Sequence, residues 1–247
     1  MTHPLLFLLA FLVAVLYSSA GFGGASGYLL AMSFFDIPAN VMASAALMLN
    51  IFVSTISFIS YFRAGHFRPK LLIPFLITSI PAAFLGGTFK LTEQTYFTLL
   101  YAVLTYLALR MTFFPVLSDK ADWTPRPVPL WAALTSGALI GLLSGMIGIG
   151  GGIFLSPLII LAGWGTSKQA AASAGAFIAI NSVSGLIGRF TNGTFSLDEF
   201  GLPLLVVGLV GALIGSQLGA VRFSGVGVRR ALGAILVIAV GTYWFNL

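Results

Sequence analysis

Residues 145–152 read GMIGIGGG and lie within a long apolar stretch that carries no charge between Arg126 and Lys168. Stretches of about 18 or more apolar residues predict transmembrane helices. Glycine, however, disfavours a helix interior by about 1 kcal/mol per residue relative to alanine. A chain that places five glycines in these eight positions therefore either turns its backbone here or brings helices into unusually close contact.

The composition places this stretch in a membrane. The chain of 247 residues is 58% hydrophobic and only 7% charged, whereas soluble domains carry roughly 25% charged residues. The net charge of +6 does not indicate nucleic-acid binding, because Lys and Arg in membrane proteins mostly mark cytoplasmic loops. The chain has no cysteine, which excludes disulfides and thiolate metal sites, and we expect no metal or cofactor. We predict an all-α, multi-pass protein of the cell (inner) membrane, with no cleaved signal peptide because the N-terminus lacks a basic start.

The second half of the chain resembles the first. AGFGGASGYLLAMSFFDIP (20–38) matches IGIGGGIFLSPLIILAGWG (147–165), and each is followed by a small-residue segment with a central Asn. Further along, RAGHF corresponds to TNGTF and PAAFLGG corresponds to VGALIGS, and the two members of each pair are separated by nearly the same number of residues as the first motifs. Matches in register indicate a duplication. We therefore divide one membrane domain into a first repeat (1–117), a cytoplasmic linker (118–129) and a second repeat (130–247).

Positive charges indicate how the two repeats are oriented. If each Gly-rich motif is a turn, ten of the 12 Lys and Arg residues fall on one side of the membrane, and only Lys90 and Arg189 fall on the other. If neither motif turns, the charges show almost no bias, so the positive-inside rule favours the turns. The prediction is two inverted repeats of about five helical elements each, with both termini outside. Each repeat opens with a broken or re-entrant helical hairpin, which gives about eight full spans and two short half-helices.

The short arms after the turns, residues 24–35 and 152–164, point to a binding site. Twelve residues of helix reach only about 18 Å, against a hydrocarbon core of roughly 30 Å, so the turns are expected at membrane depth. Helix N-termini carry partial positive charge and bind anions. The predicted anion-binding residues of the two turns are Gly21, Gly23, Gly24, Gly148, Gly150, Gly151 and Gly152. The alternative is that these glycines only let helices pack closely.

Polar side chains inside the predicted spans are candidates to complete that site. Carboxylates are the usual cation or proton handles of transporters, but all six acids lie at segment ends or in linkers, which favours an anionic substrate. Asn50 and Asn181, at matching positions, are predicted to coordinate it or to join helices by hydrogen bonds. Weaker candidates are Ser26, Ser54, Ser57, Ser182 and Ser184, with Arg63 and Arg189 as attractors of an anion at each mouth or as headgroup contacts.

An enzyme is the less favoured interpretation. GASG (24–27) matches the G-x-S-G pattern of rhomboid intramembrane proteases. A serine nucleophile needs a histidine within hydrogen-bond reach, and His3 and His66 both lie outside the predicted spans. The glycines also lack the βαβ context of a dinucleotide-binding fingerprint. We expect no enzymatic activity.

At its two glycine motifs the chain resembles the sulfite exporter TauE/SafE family of bacterial membrane transporters. The resemblance rests on GFGGASGYLLAMSFFDIP and on GLLSGMIGIGGGIFLSPLIILAGWGTSKQAAASA, where Pro157 follows the glycines; in the first copy Ala25 stands in place of a glycine. It implies transport of small sulfur-containing or organic anions, such as sulfite, sulfoacetate or other sulfonates. We expect a secondary transporter with alternating access, with an anion channel as the alternative. Import or export, a coupled proton and the oligomeric state stay open.

Overall fold

The computed structural model describes residues 4–19, 24–35, 37–113, 125–197, 201–221, 237 and 240–241. Within them the chain forms nine helices and no strand. The helices are α1 (Pro4–Ser19), α2 (Ala25–Ser33), α3 (Ala39–Arg63), α4 (Pro69–Thr88), α5 (Glu93–Phe113), α6 (Leu130–Ile147), α7 (Gly152–Leu161), α8 (Ser167–Thr191) and α9 (Gly201–Val221). Most of the last predicted segment, 228–246, and most of the linker lie outside the described residues.

Four of these helices, α3, α4, α6 and α8, are long and apolar enough to cross a membrane by length and composition. This confirms the prediction of a helical membrane protein. Two helices are much shorter, with 9 residues in α2 and 10 in α7. Each short helix directly follows one of the two glycine motifs.

Glycines bring α4 and α6 into backbone contact. Gly137, Gly141 and Gly145 face the carbonyl oxygens of Phe75, Ser79 and Ala83 in that order, and a Cβ at any of the three glycines would overlap those oxygens. Small residues at four-residue spacing are the usual device for close packing of membrane helices. Because both series ascend together, α4 and α6 run parallel.

The helix α8 lies against the same pair and in the same direction. Ser184 Oγ donates to the Ile80 carbonyl at 2.7 Å, and Asn192 Nδ2 donates to the Thr88 carbonyl two turns further along. A capping box between Thr166 and Gln169 starts this helix, which satisfies two N–H groups at its N-terminus.

The helix α7 runs the opposite way. Ser156 Oγ, in its second turn, donates to the Ala170 carbonyl of α8 at 3.2 Å. Gly152, at its start, lies instead beside the Ala174 carbonyl, further along α8. Because α6 is parallel to α8 and α7 is antiparallel to it, the chain reverses direction at residues 148–151.

A second parallel pair lies on the other side of the bundle. Gly211 and Gly215 of α9 face the carbonyl oxygens of Phe11 and Val15 of α1, again in ascending order. The two groups meet where α3 packs against α8. There Phe58 lies beside Gly175 and Leu47 lies beside Gly185, so α3 and α8 are antiparallel. This contact places both central Asn residues in the middle of the protein.

Candidate functional site

The turn between α6 and α7 needs its glycines for conformational reasons. Gly148, Gly150 and Gly151 have φ values of +92°, +79° and +78°, a region that costs other residues roughly 1–2 kcal/mol. The remaining two glycines of the motif are helical and lie against backbone, Gly145 on the Ala83 carbonyl and Gly152 on the Ala174 carbonyl. The motif therefore combines both expected roles, the turn and the close contact.

The first motif is described only from Gly24 onward, and Gly21 and Gly23 lie outside the described residues. Gly24 is the N-cap of α2, with φ +86°. Its carbonyl accepts the N–H groups of Gly27 and Tyr28, each at 3.0 Å. The short helix α2 thus begins as α7 does, from a left-handed glycine.

The two motifs meet at one small buried cavity. It is lined by Tyr17, Gly24, Ala25 and Ser26 from the first repeat and by Ile149, Ile153 and Ile178 from the second. Its volume is about 10 Å³, which leaves room for about one water molecule. The N-terminal ends of α2 and α7 therefore border one common, small space.

Two residues that line this cavity are joined through their hydroxyl groups. Tyr17 Oη and Ser26 Oγ lie 2.8 Å apart and share a hydrogen bond. Ser26 was a sequence candidate, whereas Tyr17 was not, because a tyrosine near the end of a predicted span is usually an interfacial residue. Tyr28 lies beside Gly24, and its buried hydroxyl has no hydrogen-bond partner.

The two central asparagines differ in what they contact. Asn50 Nδ2 donates to the Gly148 carbonyl at 3.3 Å, and its Oδ1 is buried without a partner. Asn181 Nδ2 instead donates to the Phe177 carbonyl of its own helix at 2.9 Å. Only Asn50 reaches the glycine turn directly.

The serine candidates fall into different environments. Ser182 lies next to Gly150, since a Cβ there would be 3.2 Å from its Oγ, and this hydroxyl is buried without a partner. Ser57 Oγ is likewise buried and unpartnered. Ser54 Oγ donates to the Asn50 carbonyl, and Ser184 Oγ donates to the Ile80 carbonyl of α4. These two hydroxyls therefore bond to helix carbonyls and not to the glycine turn.

Side chains from three helices hold the carbonyl end of α6. Arg189 Nη2, from α8, donates to Met146 at 2.8 Å and to Gly145 at 3.3 Å. Tyr96 Oη, from α5, donates to Ile147 at 3.0 Å. With Asn50 on Gly148, four consecutive carbonyls receive a side-chain donor. A cation is favourable at a helix C-terminus because the carbonyls there carry partial negative charge.

Arg189 and Arg63 therefore lie in different environments, although the sequence predicted the same role for both. Arg189 is only 4% exposed, whereas Arg63, in the last turn of α3, is exposed. Tyr96 was not identified from the sequence at all, because a single tyrosine near the start of an apolar helix carries no signal of the carbonyl it caps.

Nearly the whole chain matches one known family of membrane proteins. The model of the family described as "Sulfite exporter TauE/SafE" matches residues 6–243. The chain belongs to the TauE/SafE family. Among curated TauE/SafE-like relatives, a "Probable membrane transporter protein" of Sinorhizobium fredii is 34% identical over 230 residues, covering 93% of each chain. Another, from Methanocaldococcus jannaschii, is 27% identical over 237 residues, covering 87% of this chain and 84% of its own. No solved structure matches.

In this TauE/SafE protein the site region carries positive rather than negative charge. Glu93, the one acid in the described part of the chain, is exposed. Within the same residues, no group of three or more His, Cys, Asp or Glu side chains could hold a metal ion. Among the described residues, Arg189 is the buried charged group at the turn, since it bonds to the last carbonyls of α6.

Proposed function

We propose that this protein is a secondary carrier of small sulfur-containing or organic anions, such as sulfite, sulfoacetate or other sulfonates. The observation that carries the proposal is the cavity where Gly24 and Ala25 of one motif face Ile149 and Ile153 of the other. The first N–H groups of a helix have no intrahelical partner and attract anions. Two such helix ends directed at one point favour a single, centrally bound oxyanion.

Neutral donors complete the proposed site. Tyr17 and Ser26 are among the residues that line the cavity, and Ser182 Oγ lies beside Gly150. Oxyanions of sulfur present several acceptor oxygens, so N–H and O–H donors suit them without a full opposing charge. Gly148, Gly150, Gly151 and Gly152 are proposed to shape the backbone on one side, and Gly21, Gly23 and Gly24 on the other.

We further propose that the two repeats are inverted and that access alternates between them. Three features of the packing support this. The equivalent helices α3 and α8 are antiparallel, the contact of α4 with α6 has its counterpart in that of α9 with α1, and each repeat contains one short helix. Inverted repeats with broken helices at the midplane are a common transporter plan, in which one repeat rocks against the other.

The size of the cavity helps to distinguish a carrier from a channel. A space of about 10 Å³ admits about one water molecule, which is far smaller than a sulfonate. A bound sulfonate requires the helices around Gly24 and Ile149 to separate. Such opening and closing around one site is the cycle of a carrier.

Transport currents test the proposal. In liposomes containing the purified protein, rapid addition of sulfite or sulfoacetate should give a saturable transient current, and acetate or sulfate should give a smaller one. Unlabelled substrate inside should accelerate uptake of labelled substrate, as carriers exchange. Currents that neither saturate nor show exchange would indicate a channel instead. The absence of both current and labelled-anion uptake for all four anions, from folded protein, would contradict anion transport. Repeating the assay across a pH gradient shows whether a proton is coupled.

A pair of single cysteines tests the orientation. Ala64 and Thr92 are exposed residues that flank the two ends of α4, and the chain has no native cysteine. Because Arg68, Lys70, Arg126 and Lys168 cluster at the Ala64 end, the positive-inside rule places that end in the cytoplasm. In intact cells, a membrane-impermeant thiol reagent should label Thr92→Cys and not Ala64→Cys. The reverse pattern would invert the orientation proposed here, and label on both would contradict a spanning α4.

A further inference from the structure

A second concave site lies at the basic end of the bundle, away from the glycine turns. It is a cleft of about 610 Å³ between the start of α4, the segment before α6 and the turn after α7, and we call it the basic cleft. The cationic residues that line it are Arg68, Lys70 and Arg126, and its apolar lining includes Phe67, Leu71 and Trp164. No acidic side chain is among the described residues that line it.

The walls of the basic cleft are fixed by the fold. The backbone N–H of Arg126 donates to the Gly163 carbonyl at 2.8 Å, which ties the linker to the turn between α7 and α8. Trp164 packs on Phe75 of α4, with ring centroids 5.9 Å apart. Three positive charges are thus gathered around one cleft, and none of the described residues that line it carries a negative charge, so this surface is complementary to an anion.

Helix α4, which borders the basic cleft, carries an exposed apolar surface next to it. Lys70, Ile73 and Ile77 lie at i, i+3 and i+7 of α4, and residues so spaced share one face of a helix. The exposed fractions of Ile73 and Ile77 are 54% and 59%. At the start of α6, Trp131 is 72% exposed, as expected of an aromatic residue at the membrane interface.

We propose that the basic cleft binds the phosphate headgroup of an anionic phospholipid, with an acyl chain lying along the Ile73–Ile77 face. The charges alone would fit any phosphate. The apolar stripe that continues from Lys70 distinguishes a lipid from a free ion, because only a lipid gains from covering it. This site is independent of the transported anion and of the glycine turns.

Lipid titration tests the proposal. Delipidated protein in detergent is titrated with phosphatidylglycerol and with phosphatidylcholine of the same acyl chains, and bound lipid is counted by native mass spectrometry. Phosphatidylglycerol should bind at least tenfold more tightly. Lys70→Gln should weaken its binding about fivefold, since a basic residue near a membrane surface contributes about 1 kcal/mol to attraction of anionic lipid. The matched control Lys90→Gln, exposed at the other end of α4, should leave it unchanged.

Competition separates the lipid from a free anion. Inorganic phosphate and glycerol phosphate, at concentrations equal to that of the lipid, should displace little phosphatidylglycerol. Displacement by either one as effective as by unlabelled lipid would overturn the proposal in favour of a phosphate-ion site. Equal affinity for the two lipids, or full affinity in an Arg68→Gln/Lys70→Gln/Arg126→Gln variant, would also overturn it. If the triple variant does not fold, the single exposed substitution Lys70→Gln decides the question.

Discussion

The substitution Gly150→Ala is expected to reduce transport per folded molecule at least tenfold. Gly150 has φ +79°, and its Cβ would lie 2.7 Å from Ile178 Cγ2 and 2.8 Å from Asn50 Nδ2. The substitution therefore costs roughly 1–2 kcal/mol in backbone strain and also displaces the side chain that holds Gly148. Substrate-dependent current in liposomes, normalised to folded protein, measures the effect, and Gly150→Asp should abolish it because a negative charge repels the anion.

Gly65→Ala is the matched control for this substitution. Gly65 has a similar φ of +76°, but its Cβ would meet nothing within 4 Å. The two variants thus share the backbone strain and differ in the contacts around the turn. We expect Gly65→Ala to lower the unfolding temperature slightly and to keep nearly full transport. Equal transport by Gly150→Ala and the wild type would remove the turn from the substrate site.

The substitution Arg189→Leu is expected to lower both the stability of the protein and its maximal transport rate. It removes the two hydrogen bonds to Gly145 and Met146, and an unsatisfied buried carbonyl costs about 1–3 kcal/mol. The unfolding temperature in detergent should fall by roughly 5 °C or more. Because α6 leads directly into Gly148, the turn loses its anchor, and we expect the maximal rate to drop at least tenfold while KM changes less than about threefold.

The effect of the substitution on the maximal rate, compared with its effect on KM, distinguishes two roles of Arg189. If its guanidinium attracted the anion directly, as the sequence interpretation allowed, KM would rise far more than the rate falls. Arg189→Lys, which keeps the charge near the helix C-terminus, should restore part of both properties. Arg63→Leu is the control, since that side chain is exposed and surface substitutions usually change stability by about 0.5 kcal/mol or less. A stable, fully active Arg189→Leu variant would contradict the anchoring role.

The sequence alone was enough to predict a helical membrane protein and to locate the two helix breaks. Both depend on local properties of the chain. Hydropathy over about 20 residues decides whether a segment can enter a bilayer, and the freedom of Gly24 and Gly148 to take positive φ is a property of glycine itself. The family resemblance drawn from the same motifs was also confirmed over residues 6–243. The inverted repeat stays a proposal, supported by the antiparallel packing of α3 and α8.

Only the tertiary structure decided which polar side chain meets which backbone group. Asn50 and Asn181 occupy matching places in the sequence, yet only Asn50 reaches the turn, across 98 residues of chain. Arg189 could have faced the headgroups, but it bonds to carbonyls 43 and 44 residues earlier. Tyr96 and Tyr17 gave no signal of their partners. Such pairings follow from the packing of helices far apart in the chain, and in this protein that packing is set by glycines whose missing side chains let one backbone approach another.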